Sequence, residues 1–430
     1  MSARRTLLTN IFSLSGIQIV NYALPVLTVP YIVRVIGPDD YGLVNFAQAF
    51  SAYFILIVSY GFDFTATREV AVYRDDKEKL SEIFSSVITA KILLFVLTLL
   101  IFIPVVFLIP KFRADADIYV YAYLVIIGMV LMPTWLFQGK EKLARLSLFN
   151  FLVKLLYAAS IFIFIKNKSD YLLIPLIFSI AQIVVGGVSY VYAVKVFGVS
   201  MKLTGLKNIG NALKDGWKLF LSTLSINLYT TSNVVILGIL GSNLNVGYFA
   251  AAGKIITVIQ GLLLMPMNQS FYPRIASIMN ESREKAIILL KKLTIFVGLI
   301  TFLASVLILI FSNFIIRIVF GGKFIEAVEC LRIMAFAPFL IGLSNVFGTQ
   351  AMLVLKMDRS LLIITTIGAV ISIILNIILV PIFLQNGTAM SWLITEFFIT
   401  AGFYAALLRK KINLLDLSVI KSIPGTFKID

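Results

Sequence analysis

The chain has 430 residues, of which 60% are hydrophobic and only 13% are charged, and its mean hydropathy of +0.99 is too high for a water-soluble core of that size. This composition excludes a soluble globular domain and indicates a polytopic membrane protein. One cysteine and no histidine exclude a disulfide framework and a Cys/His zinc site, and the formal charge of +16 is better explained by membrane topology than by nucleic-acid binding.

Twelve segments are long and apolar enough to cross a bilayer. A spanning helix needs about 20 mainly apolar residues. Helices are the expected structure, since lipid offers no partner to an unpaired backbone and the alternating pattern of a barrel is missing. The predicted limits are 10–33, 42–62, 83–109, 117–137, 147–165, 171–194, 218–240, 246–272, 293–311, 325–349, 361–384 and 388–408.

Basic residues are concentrated in the connections on one side of this bundle. With the N-terminus inside, the even-numbered connections and the two termini carry 26 Lys and Arg residues, whereas the outer connections carry 7. The positive-inside rule therefore predicts that both termini are cytoplasmic.

Two similar turns interrupt the apolar runs. The first is GPDDYG at 37–42 and the second is GSNLNVG at 241–247. In the first turn, Gly37 and Pro38 are expected to stop one helix, the two aspartates to face water, and Gly42 to let the next helix begin. The simplest interpretation is an outer helix connection in each half, with a gating role as the alternative.

The turns belong to a longer internal repeat. Gly37 aligns with Gly241 at an offset of 204 residues, and the stretch 68–80 aligns with 273–286. Each half contains an even number of spans, so the repeats are parallel, and such proteins hold substrate between the halves. We therefore expect an all-α fold of two six-helix lobes around a central cavity. The predicted parts are a first lobe at 1–200, a cytoplasmic linker at 201–217, a second lobe at 218–408 and a cytoplasmic tail at 409–430.

Polar residues mark one face of the first helix of each half. Gln18, Asn21 and Thr28 share a helical face in the first span, and Ser225 and Tyr229 occupy matching positions in the seventh. We expect these five side chains to line the cavity.

Four basic residues lie inside predicted spans: Lys91, Lys154, Lys254 and Arg332. Ionisable groups at membrane depth are costly and are functional candidates, so these four are predicted to bind an anionic substrate. The alternatives are snorkelling of the side chain along lipid and, for Arg332, an ion pair with Glu329 three residues earlier.

Glu396 is the most deeply placed acid, midway along the twelfth span. It is the candidate for ion or proton coupling, with a structural partnership to a buried cation as the alternative. The chain has no phosphate-binding Gly-Lys loop and no large outer loop, and we expect no catalytic residue, metal site or cofactor. Short loops and a cationic cavity favour an anionic substrate that is itself partly lipid.

Several motifs resemble one family. They are VIGPDDYGLVNFAQAF at 35–50, YGFDFTATREVA at 60–71, RDDKEKLSEIF at 74–84 and WLFQGKEK at 135–142. In order and spacing they are similar to the O-antigen repeat-unit flippases of the multidrug, oligosaccharidyl-lipid and polysaccharide exporter superfamily.

The resemblance implies a bacterial inner-membrane transporter, not an enzyme. It implies alternating access that moves an undecaprenyl-diphosphate-linked oligosaccharide to the periplasmic leaflet for assembly of O-antigen, capsule or exopolysaccharide. An H⁺ or Na⁺ gradient is the implied energy source, and a polymerase and a chain-length regulator are the implied partners.

Three other functions compete with this one. An ion-coupled drug antiporter of the same superfamily would favour acids in the cavity, and a lipid-II-type precursor flippase would favour fourteen spans. A membrane polysaccharide polymerase would need a catalytic carboxylate or a large loop.

Overall fold

The computed structural model describes residues 3–202 and 204–416, apart from the side chains of 3–23, 25, 26, 206, 218, 222, 225, 226, 229, 265 and 269. All regular structure in these ranges is helical, which confirms the predicted all-α class. The helices up to residue 197 are α1 (Ala3–Ser59), α2 (Phe62–Val72), α3 (Lys77–Leu108), α4 (Pro110–Arg113), α5 (Ala116–Tyr123), α6 (Val125–Leu131), α7 (Thr134–Gly139), α8 (Leu143–Phe164) and α9 (Leu173–Phe197). Those that follow are α10 (Leu206–Thr230), α11 (Ser232–Leu240), α12 (Asn243–Glu281), α13 (Arg283–Val319), α14 (Ala327–Ile333), α15 (Ala337–Asn345) and α16 (Asp358–Arg409).

The chain divides into two compact units, a first unit of Met1–Asn227 and a second unit of Leu228–Asp430. The core of the first unit is built around Trp135 and Phe84, and that of the second around Phe347. The predicted lobe limits, with a linker at 201–217, stay a prediction.

Nine helical stretches in the described ranges are long and apolar enough to cross a membrane. The stretches that contain α1 and α16 each have a break in helical geometry, at Gly37 and at Leu384. Gly37 falls between the first two predicted spans, Leu384 is the last residue of the predicted eleventh span, and the predicted seventh span falls on α10 and α11. The protein is therefore a multi-pass helical membrane protein; the count of twelve spans is consistent with this arrangement and stays a prediction.

The two turns that interrupt the apolar runs are built differently. Gly37 has a φ of +80°, which favours glycine, and helical geometry resumes at Pro38, whose fixed φ suits a first helical position. Gly241 instead has a φ of −113°, and the Ser242 side chain caps α12. The predicted role of Gly42 is wrong, because it is buried inside a helix that has already begun.

The connection between the eighth and ninth predicted spans, expected at 273–292, is much shorter than predicted. Helices α12 and α13 are separated only by Ser282, which accepts a hydrogen bond from the backbone of Lys285. With 39 and 37 residues, both helices exceed the roughly 20 residues that span a bilayer. An α-helix can continue through a polar stretch, because its backbone hydrogen bonds are made within the helix itself.

The fourth predicted span of each half is irregular. In the first half it is interrupted between α6 and α7, where Met132 is extended because proline at position 133 disfavours the helical conformation of the residue before it. In the second half, α15 continues into a π-helical segment, Val346–Met352. Single π-helical segments inside longer helices are frequent at functional sites. Polar side chains lie beside both irregular segments.

Candidate functional site

Lys91 is buried inside the first unit. It is only 4% exposed, and its Nζ donates to the backbone oxygen of Met129 at 3.5 Å. Asp63, on α2, is the acid whose charge acts on its ammonium group, although the two side chains form no ion pair within 4 Å. Since a buried cation is stable only with a compensating charge or acceptors, Asp63 and Met129 explain how α3 keeps a lysine here. This is not the lipid-facing placement that snorkelling requires.

Asp63 is itself held by the irregular fourth span. The Thr134 hydroxyl, at the start of α7, donates to Oδ1 of Asp63. The Thr67 hydroxyl donates to the Asp63 backbone oxygen at 2.5 Å and lies 3.0 Å from Oε1 of Gln138. We call Lys91, Asp63, Thr67, Thr134 and Gln138 the Lys91 cluster. The break before α7 thus places polar groups against the acid that accompanies Lys91.

The second unit has a neutral counterpart of this cluster. Asn268 lies 205 positions after Asp63, and its Oδ1 accepts a hydrogen bond from Gln350 Nε2 at 2.8 Å. Gln350 lies in the π-helical segment, is 1% exposed, and has an Oε1 without a partner among the described residues. The aligned stretches 68–80 and 273–286 differ by one residue, so the offset after them is 206 and Lys91 aligns with Val297, which is also buried. The cation and the carboxylate of the first unit are therefore both replaced by uncharged residues in the second.

Lys154 lies on α8 and is half-buried. On its own face, Asn150 is exposed and Tyr157 is half-buried, with its ring 5.6 Å from that of Phe178. The face predicted to be polar therefore extends from an exposed amide to an aromatic contact with α9.

Lys254 lies on α12, where this helix meets α16. The preceding residue, Gly253, packs against the Trp392 ring: a Cβ on Gly253 would lie 3.7 Å from a ring carbon. The Phe249 ring lies beside the same indole, with 6.1 Å between the ring centroids. The Trp392 indole nitrogen donates to Oε1 of Glu396 at 3.3 Å. Lys254 is half-buried, whereas Glu396 is 5% exposed. The predicted coupling acid thus contacts an aromatic side chain that packs on α12 at Gly253, the residue before the predicted cation.

Arg332 differs from the three lysines because it is exposed. Its Nε donates to the hydroxyl of Ser312 on α13 at 3.1 Å. The structure has no ion pair between Arg332 and Glu329, both of which are described.

The predicted polar cavity face is only partly described. Thr28 is buried, and its hydroxyl donates to the Leu24 backbone oxygen at 3.0 Å, which satisfies it within its own helix. The side chains of Gln18, Asn21, Ser225 and Tyr229 lie outside the described residues.

Sequence reasoning missed a buried amide network in the second unit, here called the Asn376 cluster. Asn376 Nδ2 lies 2.7 Å from Oδ1 of Asn233 on α11 and 2.8 Å from Oγ of Ser391. Ser372 Oγ also donates to Asn233 Oδ1, at 3.3 Å. All four residues are at most 1% exposed. The signal was a Ser and an Asn four residues apart within the apolar run ISIILNIILV, a spacing that places both on one helical face.

Comparisons with known proteins place the chain in a family. Residues 7–279 match the model of the polysaccharide biosynthesis protein family. The chain belongs to this family. A candidate O-antigen transporter of Escherichia coli (strain K12) is 37% identical over 392 residues, covering 91% of this chain and 94% of that protein. A second one, of Shigella dysenteriae, is 28% identical over 393 residues, covering 90% and 96%.

Solved structures show the fold of this family member. An inward closed conformation of the lipid II flippase MurJ matches with a TM-score of 0.71, covering 96% of this chain and 91% of that one. An inward-facing multidrug resistance MATE transporter matches with a TM-score of 0.73, covering 95% and 96%. Each is 15% identical. The polysaccharide biosynthesis family member therefore has the fold of membrane transporters and flippases rather than of an enzyme, which confirms the resemblance seen in its motifs.

Proposed function

We propose that this protein flips undecaprenyl-diphosphate-linked oligosaccharide repeat units from the cytoplasmic to the periplasmic leaflet of a bacterial inner membrane. The family and the O-antigen transporters that it resembles support this substrate class. The observation that carries the proposal is a cation buried at membrane depth: Lys91, which a chain facing only lipid would not keep. Alternating access between two six-helix lobes, with both termini cytoplasmic, completes the proposal.

The cations supply the chemistry that a diphosphate needs. Phosphate oxygens accept charge-assisted hydrogen bonds from Lys and Arg, and these are strong in a low-dielectric site. Lys154, Lys254 and Arg332 are proposed to bind the diphosphate, together with Lys91 once its ammonium leaves Met129. The faces that carry Gln18, Asn21, Thr28, Ser225 and Tyr229 are proposed to accommodate sugar hydroxyls.

Glu396 is the proposed coupling residue. Its carboxyl is buried, and its only described side-chain donor is neutral, the Trp392 indole nitrogen. Binding and release of H⁺ or Na⁺ at this carboxylate would change the charge beside Trp392, whose ring packs on α12 at Gly253, the residue before Lys254. A polymerase and a chain-length regulator are the proposed partners, since flipped units must be joined outside.

The decisive experiment is a gene deletion followed by extraction of lipid-linked oligosaccharides, with the wild-type gene returned as a control. The proposal expects complete repeat units to accumulate facing the cytoplasm while surface polysaccharide disappears. Outward-facing but unpolymerised units would instead indicate a polymerase. No change in lipid-linked oligosaccharides would contradict the proposal and favour an ion-coupled antiporter.

A further inference from the structure

A basic pocket lies at one end of the first unit, at the side that the charge bias assigns to the cytoplasm. It has a volume of about 480 Å³. Three separate segments of the chain form it: the link before α3, the link before α8 and the last turns of α9. Its basic lining residues are Arg74, Lys77, Lys140, Lys142 and Arg145. The pocket belongs neither to the Lys91 cluster nor to the Glu396 region.

Two of these five cations are already engaged by the protein. Arg74 Nη2 pairs with Oε1 of Glu141 at 2.9 Å, and the Lys140 ammonium donates to the Arg74 backbone oxygen. These contacts connect the two links that line the pocket.

The other cations remain available to a ligand. Lys142 and Arg145 are exposed, and neither forms an ion pair with any acid in the described ranges. The Lys77 ammonium lies beside the C-terminal end of α9, 3.8 Å from the position that a Cβ on Gly198 would occupy. The partial negative charge at this helix end favours a cation. Asp75 is the one acid among the described lining residues, so the pocket has a clear excess of positive charge.

One wall of the pocket is apolar and continues into the membrane-spanning part of α9. Tyr192, Val196 and Phe197 form this wall, and Val196 is 58% exposed. Along the same helix, a stripe of side chains about half-exposed leads away from the pocket. The stripe consists of Ile180, Val184, Val188 and Val191, spaced by three or four residues.

We propose that this pocket binds the phosphate head group of an anionic phospholipid of the cytoplasmic leaflet, with one acyl chain along the α9 stripe. Arg and Lys together suit phosphate oxygens, and basic pockets at the cytoplasmic ends of membrane helices bind such head groups. A free phosphate would leave the stripe unused. The site goes beyond the proposed flippase function and does not depend on it.

The test uses the full-length protein, purified in detergent, stripped of lipid and titrated with phosphatidylglycerol while native mass spectrometry measures occupancy. The pocket variant is Lys142→Gln with Arg145→Gln. The matched control is Arg283→Gln with Lys285→Gln, which removes the same charge from exposed positions assigned to the same side. Each basic side chain near an anionic leaflet contributes roughly fivefold. We therefore expect the pocket variant to bind phosphatidylglycerol about 25-fold more weakly and the control to bind like wild type.

Three comparison ligands make the outcome specific: phosphatidylcholine with the same acyl chains, undecaprenyl diphosphate and inorganic phosphate. Preference for phosphatidylglycerol that is lost only in the pocket variant supports the proposal. Equal loss in both double variants, or no preference over phosphatidylcholine, overturns it. Pocket-dependent binding of undecaprenyl diphosphate or inorganic phosphate, but not of phosphatidylglycerol, also overturns it, and assigns the pocket to a transported head group or a free anion.

Discussion

The Trp392 indole nitrogen donates a hydrogen bond to Oε1 of Glu396 at 3.3 Å, one helical turn further along α16. The Trp392 ring also packs against Phe249 and Gly253 of α12, immediately before Lys254. A change of charge on the Glu396 carboxyl would thus act on a ring that lies between two helices. This arrangement connects the buried carboxyl of α16 to α12, the helix that carries Lys254.

Glu396→Gln is expected to abolish transport that depends on an imposed pH or sodium gradient, with normal amounts of protein in the membrane. Glutamine keeps the shape and the acceptor for Trp392 but cannot gain or lose a charge. Uptake into inverted vesicles, with the gradient imposed or collapsed, measures the effect. Trp392→Phe is the companion variant, since it removes the donor and keeps the carboxyl. Unchanged gradient dependence in Glu396→Gln would leave this residue a structural role only.

Lys91→Met is expected to lower export of surface polysaccharide at least tenfold. Its effect on folding is separated by the double variant Asp63→Asn with Lys91→Met, which leaves both positions uncharged, as they are in the second unit. The double variant removes the isolated Asp63 charge, so we expect it to restore the amount of protein but not transport. Immunoblotting of membranes and quantification of surface polysaccharide give the two readouts. Full transport in the double variant would show that Lys91 acts only as the partner of Asp63.

Replacing Lys154, Lys254 or Arg332 by Ala is expected to reduce surface polysaccharide without removing the protein from the membrane. Each change removes one charge from the proposed diphosphate site. Lys323→Ala is the matched control, because Lys323 is an exposed cation in a predicted outer connection. Normal polysaccharide in all three variants would contradict a cationic substrate site.

The fold was largely predictable because its strongest signals are local. Apolar runs of sufficient length define membrane helices, and Gly37 followed by Pro38 defines a stop and a restart. The limits were less predictable, since the hydrogen bonds of a helix continue through polar residues, as between α12 and α13. The break before α7 and the π-helical segment depend on packing within each unit, which a hydropathy pattern does not record.

The site was predictable only for groups that are expensive in lipid. Lys91 and Glu396 were found because charge at membrane depth is costly, and both are buried. Asp63 was missed because the predicted span ended at residue 62 and the following residues were assigned to a cytoplasmic connection, whereas a separate helix, α2, begins at Phe62. Asn376 was missed because neutral amides are tolerated inside bundles when they find partners, and its partner Asn233 lies 143 positions away in the sequence.

Asn376→Ala is expected to destabilise the purified protein by about 1–3 kcal/mol, because Asn233 and Ser391 would lose a buried hydrogen-bond partner. Thermal unfolding in detergent, followed by the loss of soluble protein, measures the change. Asn150→Ala, at an exposed position on α8, is the control and should leave the midpoint unchanged. If the two variants unfolded at the same temperature, the Asn376 cluster would not contribute to stability.

Two adjacent glycines on α9 should respond differently to the same substitution. A Cβ on Gly186 would lie 2.5 Å from the backbone oxygen of Gly128, whereas a Cβ on Gly187 meets nothing within 4 Å. Backbone cannot move aside as a flexible side chain can, so Gly186→Ala forces α6 and α9 apart at a cost of about 1–3 kcal/mol. Gly187→Ala should be neutral or slightly stabilising, because alanine favours a helix by up to about 1 kcal/mol over glycine. Thermal midpoints of the two variants, measured side by side, test the close approach of α6 and α9, and equal midpoints would show that the two helices do not touch at Gly128.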